Sequence, residues 1–115
     1  MPEFQQKCTI LTNDQLTDDI FRLVLQAPKI ATAARPGQFI MVRPTEGYDP
    51  LLRRPFSIHR CCSPEGSLSL LFKSIGKGTE ILAQAQPGSL LDIMGPLGQG
   101  FTCSSQDPVC LIGGG

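Results

Sequence analysis

The run Leu52-Arg53-Arg54-Pro55-Phe56-Ser57-Ile58 puts a fixed cation, an aromatic ring and a hydroxyl into one short extended stretch. An arginine fork binds a pyrophosphate through paired, charge-assisted N–H bonds, which carry more energy than neutral ones. Pro55 locks its own φ and pushes Arg54 into an extended conformation. Arg54 and Phe56 are therefore expected on one side of a strand and Ser57 on the other. The same residues also suit an edge strand with a solvated arginine pair and one core phenylalanine.

A second anion-binding candidate is Phe72-Lys73-Ser74-Ile75-Gly76-Lys77-Gly78-Thr79, where a strand runs into a glycine-bearing turn and then a helix start. Backbone N–H groups and the helix dipole favour a phosphate at such a place. Alone it reads as an ordinary strand-to-helix turn with a capped start. Set opposite Arg54, it gives a second grip on one pyrophosphate, and with the ring of Phe56 the set suits a flavin dinucleotide.

The elements that must hold these groups are short. Ten prolines and twelve glycines punctuate apolar segments at fairly regular intervals, which favours strands joined by turns over a helical protein. In residues 19–26, Phe21, Leu23 and Leu25 share one face while Arg22 and Gln26 take the other. In residues 66–75, Leu68, Leu70 and Phe72 alternate with Ser67, Ser69 and Lys73. Further strands are expected at residues 4–11, 38–43, 55–62 and 90–94, with turns at Asp49-Pro50 and Ser63-Pro64-Glu65-Gly66. Six strands in about a hundred residues predict an all-β fold, a small antiparallel Greek-key barrel that leaves no exposed edges. One short helix interrupts it at Gly78-Thr79-Glu80-Ile81-Leu82-Ala83, with Thr79 as N-cap, Glu80 in the first turn and Pro87-Gly88 as the stop.

Beyond Gly95-Pro96-Leu97-Gly98-Gln99-Gly100-Phe101 and a polar link, the apolar run Val109-Cys110-Leu111-Ile112 enters Gly113-Gly114-Gly115. That is how the first strand of a doubly wound nucleotide-binding domain enters its phosphate loop. A bare glycine triplet equally fits a frayed tail.

The 115 residues are the size of one domain, and ten acidic residues balance ten basic ones. No basic face points to nucleic acid, and no apolar run is long enough to span a bilayer, so a cytoplasmic protein is expected. The five cysteines, Cys8, Cys61, Cys62, Cys103 and Cys110, contain no C-x-x-C pair, so neither a disulfide framework nor a metal site is expected from them. Cys61 and Cys62 should point to opposite faces of a strand as reduced packing residues.

Pro36-Gly37-Gln38-Phe39, Arg54-Pro55-Phe56-Ser57-Ile58, Gly76-Lys77-Gly78-Thr79, Gly95-Pro96-Leu97-Gly98 and Ile112-Gly113-Gly114-Gly115 occur in this order along nearly the whole chain. Together they resemble the ferredoxin-reductase-like flavoproteins, which join an FAD-binding antiparallel barrel to an NAD(P)-binding doubly wound domain. Within them the likeness runs to the electron-transfer subunits of two-subunit dihydroorotate dehydrogenases, of pyrimidine biosynthesis, and to related sulfide dehydrogenases and hydrogenase-associated reductases. The resemblance implies an FAD-binding barrel over residues 1–101, followed at residues 102–115 by a linker and the first strand of a truncated NAD(P)-binding domain.

It assigns Arg54 to the FAD pyrophosphate, Phe56 to the flavin ring face and Ser57 to the flavin N5 edge, with Pro55 in the same cofactor-contacting motif. Leu71, Phe72 and Lys73 would line the ribityl and adenosine portion, largely through backbone groups. Gly78 and Thr79 would contact the pyrophosphate. Much of the wider family has tyrosine in place of Phe56, so a hydrogen bond made by that hydroxyl is missing here. No catalytic residue is implied. In the intact family protein FAD passes electrons between NAD(P)H and a two-iron two-sulfur cluster, with a catalytic dehydrogenase subunit or other electron-transfer subunit as partner. Cys61, Cys62, Cys103 and Cys110 do not reproduce the cluster spacing. This chain alone is expected to be inactive with NAD(P)H, and the rival expectation is a barrel fragment or interaction module that does not retain flavin.

Overall fold

The computed structural model describes residues 3–45, 47 and 52–114. The turn expected at Asp49-Pro50 and the last glycine, Gly115, lie outside the described residues. Apolar–polar alternation is realised as seven strands, β1 (Phe4–Gln15), β2 (Ile20–Gln26), β3 (Phe39–Arg43), β4 (Arg54–Ser57), β5 (Arg60–Cys62), β6 (Ser67–Lys73) and β7 (Leu90–Leu97). They form one antiparallel sheet in the order β4-β3-β7-β1-β2-β6-β5. All six expected strands are present. The seventh arises because the strand expected at residues 55–62 is divided at Ile58 and His59.

That division curls the sheet. β4 pairs with β3 at one end of the strand order, and β5 pairs with β6 at the other. At the corner the Ile58 N–H donates to the Gln38 carbonyl at 3.3 Å and the His59 N–H donates to the Ser69 carbonyl at 2.9 Å. One short covalent segment therefore ties both ends together, and the sheet becomes a barrel-like layer with its apolar face inside.

Ile10, Leu23, Leu25, Ile40, Val42, Leu68, Leu70 and Ile93 fill the interior. Each such side chain contributes about 1.5–3 kcal/mol relative to an exposed position. Two helices accompany the sheet, α1 (Pro28–Ala33) and α2 (Lys77–Ala83). The first was not expected from the sequence: its N-cap, Ala27, makes no side-chain bond, and only Pro28 at the first turn marks its start. It forms because Ile30 and Ala31 are buried.

Two further details differ from expectation. The N-cap of α2 is Gly76, not Thr79, and Thr79 sits three residues inside. Val109, Leu111 and Ile112 are exposed, and residues 109–112 pair with no strand among those described. A buried parallel strand takes its hydrogen bonds from flanking strands and its cover from helices, and the described residues supply neither there. Among the described residues no helix is long and apolar enough to cross a membrane.

β1 carries a bulge at Leu11, where its register with β2 shifts between Ile10 and Thr12. Before it, Cys8 and Ile10 point into the core. After it the parity changes, and Asn13 comes opposite the fully buried Leu23. A polar amide is thereby aimed at the inner face, under α2.

Candidate functional site

A cleft of about 380 Å³ opens between β4 and the turn that starts α2, lined by Arg54, Pro55, Phe56, Ile75, Gly76, Lys77, Gly78 and Thr79. It joins the two candidate segments of the sequence, as two anion grips on one ligand require. Gly78 faces Arg54 across it: a Cβ there would lie in van der Waals contact, 3.4 Å from Cγ and 3.5 Å from Nε of Arg54. The open side of the cleft is at Gly76, where an added Cβ would meet nothing within 4 Å.

The two adjacent arginines are put to different uses. Arg53 donates from Nη2 to the Asp92 carboxylate at 2.9 Å and from Nη1 to the Asp92 carbonyl at 3.3 Å, and both side chains are largely buried. Arg54 makes no ion pair among the described residues and rests its Nη1 on the Leu52 carbonyl at 2.7 Å. Charge inside the sheet is thus neutralised at Arg53, while the Arg54 fork stays at the cleft.

The wall opposite is shaped by Thr79. Its hydroxyl accepts from the N–H groups of Ile75 and Gly76, each at 3.0 Å, and donates to the Gly76 carbonyl at 3.0 Å. This closes the turn as a capping box does, from the third helical position. The hydroxyl is consumed by the turn, and α2 is only seven residues long, so shape and backbone N–H groups matter here more than a helix dipole.

Phe56 is half-buried and meets Phe72 edge-on, with ring centroids 5.8 Å apart and planes at 72°. Phe72 is 6% exposed and also stacks on Phe21, so its ring belongs to the core. Ser57 is exposed, on the opposite face from Arg54 and Phe56, and does not line the cleft. The alternation expected from the sequence holds along β4.

On β6 the backbone decides. Ser69 turns its carbonyl towards the β5 edge, to His59, and β5 pairs only as far as Ser69. Leu71 and Lys73 share its parity, so their peptide groups face the same edge beyond the end of β5. Phe72 has the other parity and faces β2 opposite Phe21. Leu71 is 43% exposed, and the Lys73 ammonium lies 3.5 Å from the Asp19 carboxylate at the surface.

The Pro36–Phe39 and Gly95–Gly98 segments are tied to each other by hydrogen bonds. The Gln38 amide is buried, accepting from the Arg35 N–H and donating to the Gly98 carbonyl, each at 2.8 Å. Gly37, at φ +97°, packs under Phe101, whose N–H donates to the Pro36 carbonyl at 2.9 Å. These bonds fasten the end of β7 to the entry of β3.

Among the described residues no group of His, Cys, Asp and Glu is placed to hold a metal ion. Cys8 is in the core, where burial pushes its thiol above the ordinary range; a hydrogen bond from Gln6 opposes this and the Asp92 charge adds to it. Cys61 is exposed rather than packed, and partial desolvation, then the Cys62 thiol, raise it. Ile75, Gly76 and Lys77 line the cleft too; the sequence placed them inside the anion-binding candidate segment but assigned contacts there only to Gly78 and Thr79. The glycine-bearing turn was the signal for them.

The oxidoreductase FAD-binding domain family matches residues 7–101. The chain is 50% identical over 93 residues to the electron transfer subunit of dihydroorotate dehydrogenase B (NAD(+)) from Desulforamulus reducens, covering 81% of this chain and 36% of that protein. It is 33% identical over 114 residues to the same subunit from Geobacillus thermodenitrificans, covering 96% and 44%. This chain therefore spans less than half the length of these relatives. Among solved structures it is similar to one of an NADH-dependent reduced ferredoxin-NADP oxidoreductase, with TM-score 0.77, 28% identity and coverage of 83% and 34%. A ferredoxin reductase of carbazole 1,9a-dioxygenase shares the fold, with TM-score 0.77, 22% identity and coverage of 92% and 32%.

Proposed function

The chain belongs to the oxidoreductase FAD-binding domain family, and from that premise we propose that the cleft between β4 and α2 holds the FAD pyrophosphate. The meeting of Arg54 and Gly78 across that cleft carries the reading. A guanidinium fork on one wall and a glycine-lined turn on the other fit a doubly charged diphosphate. A side chain at Gly78 would fill the space between them.

In this reading Arg54 neutralises and orients the phosphates, and the turn, closed by the Ile75 and Gly76 N–H bonds to the Thr79 hydroxyl, offers the backbone N–H groups of Gly78 and Thr79 beyond it. Phe56 gives a flat apolar surface that excludes water from one side of the ring system, with Pro55 stiffening the strand beside it. Leu71 and Lys73 offer peptide groups to the ribityl and adenosine portion, while Phe72 supports Phe56 from the core. Ser57 is assigned to the flavin N5 edge beyond the end of the cleft. FAD, when bound, supplies the exchange between two-electron hydride donors and one-electron acceptors.

For the intact protein we propose an NAD-linked electron-transfer subunit working with a catalytic dehydrogenase subunit, as the names of its relatives suggest, and a cytoplasmic location. Residues 1–101 are the flavin domain in this proposal, and residues 102–115 lead into the nicotinamide-binding domain. The nicotinamide and iron–sulfur sites are assigned to parts of the relatives' length that this chain does not span. The test is the colour of the purified chain and the identity of the flavin it releases. Release of FAD supports the site; a colourless chain that takes up no added FAD overturns it.

A further inference from the structure

We propose that Asn13, on β1 and far from the motif residues in sequence, is the positioning residue that sets the cleft wall against Arg54; the inference rests on the pyrophosphate reading of that cleft. Its side-chain amide nitrogen lies within hydrogen-bond distance of the carbonyls of Leu82 at 3.1 Å, Ala83 at 3.2 Å and Ala85 at 2.8 Å, and its two hydrogens are shared among the three. Leu82 and Ala83 are the last two residues of α2 and Ala85 lies just past its C-cap, Gln84; the Leu82 carbonyl also accepts from the Ala85 N–H at 3.1 Å, so Asn13 gathers the end of the helix and the chain leaving it onto one side chain. Asn13 therefore caps α2 from below, in the way that a residue of the helix itself normally does.

The cap matters because α2 has little else to fix it. Seven residues are too few for a helix to stand alone, so its position comes from what it touches. Leu82 is fully buried and anchors the last turn, and Gly78 leans on Arg54 at the first. Between these two points the helix acts as a lever. Freeing its C-terminal end moves the Gly76–Thr79 turn, and with it the width of the cleft.

The amide orientation is dictated by chemistry: an oxygen facing three carbonyls would be repelled by all of them. The opposite atom, Oδ1, is buried with no hydrogen-bond partner among the described residues. An unsatisfied buried acceptor is costly, and it is tolerated because the nitrogen beside it is needed at the helix. The bulge at Leu11 completes the device, since without that extra residue position 13 would point outward.

The test is equilibrium titration of FAD and riboflavin against the wild-type chain, Asn13→Asp and Asn13→Ser, because riboflavin lacks the phosphates that the wall would grip. Asn13→Asp keeps the shape and removes the donor; Asn13→Ser keeps a shorter donor. Asn13→Asp is expected to lower the FAD-over-riboflavin preference about tenfold, with riboflavin affinity within about twofold of wild type. Asn13→Ser is expected to recover part of that preference. Equal losses for both ligands, or no loss, would overturn the positioning role. If Asn13→Asp does not fold, Asn13→Ser decides alone, and an unchanged preference overturns the proposal. A wild-type chain without preference for FAD sinks the cleft reading itself, and the role of Asn13 with it.

Discussion

Gly78 lies so close to Arg54 that a single added carbon would rest at 3.4 Å from its Cγ. That is ordinary van der Waals distance, so Gly78→Ala meets no clash in the free protein. Alanine also favours the helix by about 0.5–1 kcal/mol over glycine. The substitution is expected to raise the melting temperature by a few degrees while weakening FAD by about tenfold, because the methyl group occupies the cleft. Thermal unfolding and flavin titration on the same sample check both directions. A rise in stability with unchanged FAD affinity would move the pyrophosphate elsewhere.

Arg53 and Arg54 should separate cleanly. Arg54→Ala removes a charge that the sheet does not use, so FAD is expected to weaken by about 1.5–3 kcal/mol with little change in the melting temperature of the free chain. Arg53→Ala leaves the Asp92 carboxylate, 15% exposed, without its partner. That variant is expected to lose about 1.5–3 kcal/mol of stability while the preference for FAD over riboflavin persists. Denaturant melts with and without FAD distinguish the two.

How far the sequence foretold this is uneven, and the reasons are local. The strands were legible because each keeps one apolar face, as Leu68, Leu70 and Phe72 do on β6. The division of the strand at residues 55–62 was not, since the break at Ile58 and His59 is imposed where the two ends of the sheet meet. The six-residue helix α1 has no side-chain cap, and its burial of Ile30 depends on a sheet the local sequence does not encode. At the site, Arg54, Phe56 and Gly78 could be named from residue type. Asn13 could not: its partners lie 69 to 72 residues away, and the bulge that aims it has no clear mark in the sequence.

Thiol chemistry reports the packing of Cys8 on β1 and Cys61 on β5. Cys8 and Cys61 are both raised above the ordinary 9.0. A group raised on folding contributes stability that is complete below its unfolded value and is lost as pH climbs through the folded one. The melting temperature is therefore expected to be level in this respect up to about pH 9 and to fall above it. Cys8→Ala should lessen that alkaline fall. At pH 8, iodoacetamide should modify the exposed Cys103 and Cys110 first and Cys8 only on unfolding, as followed by mass spectrometry.

Reduction by NADH is expected to be slow for this 115-residue chain even when loaded with FAD. Holding a nicotinamide against the flavin lowers the barrier by roughly 7–11 kcal/mol relative to free encounter, and residues 109–114 are exposed and unpaired with any described strand. Anaerobic stopped-flow bleaching should give a rate linear in NADH. Saturation at micromolar NADH would mean that the barrel carries its own nicotinamide site.

The central claim is that Arg54 and the Gly76–Thr79 turn grip one diphosphate, and only FAD among the common flavins has one. Equilibrium titration of the purified chain with FAD, FMN and riboflavin, followed by flavin fluorescence, tests it most directly. FAD is expected to bind tightest, FMN to reach only part of the cleft, and riboflavin to bind weakest. Equal affinity for the three would contradict the account.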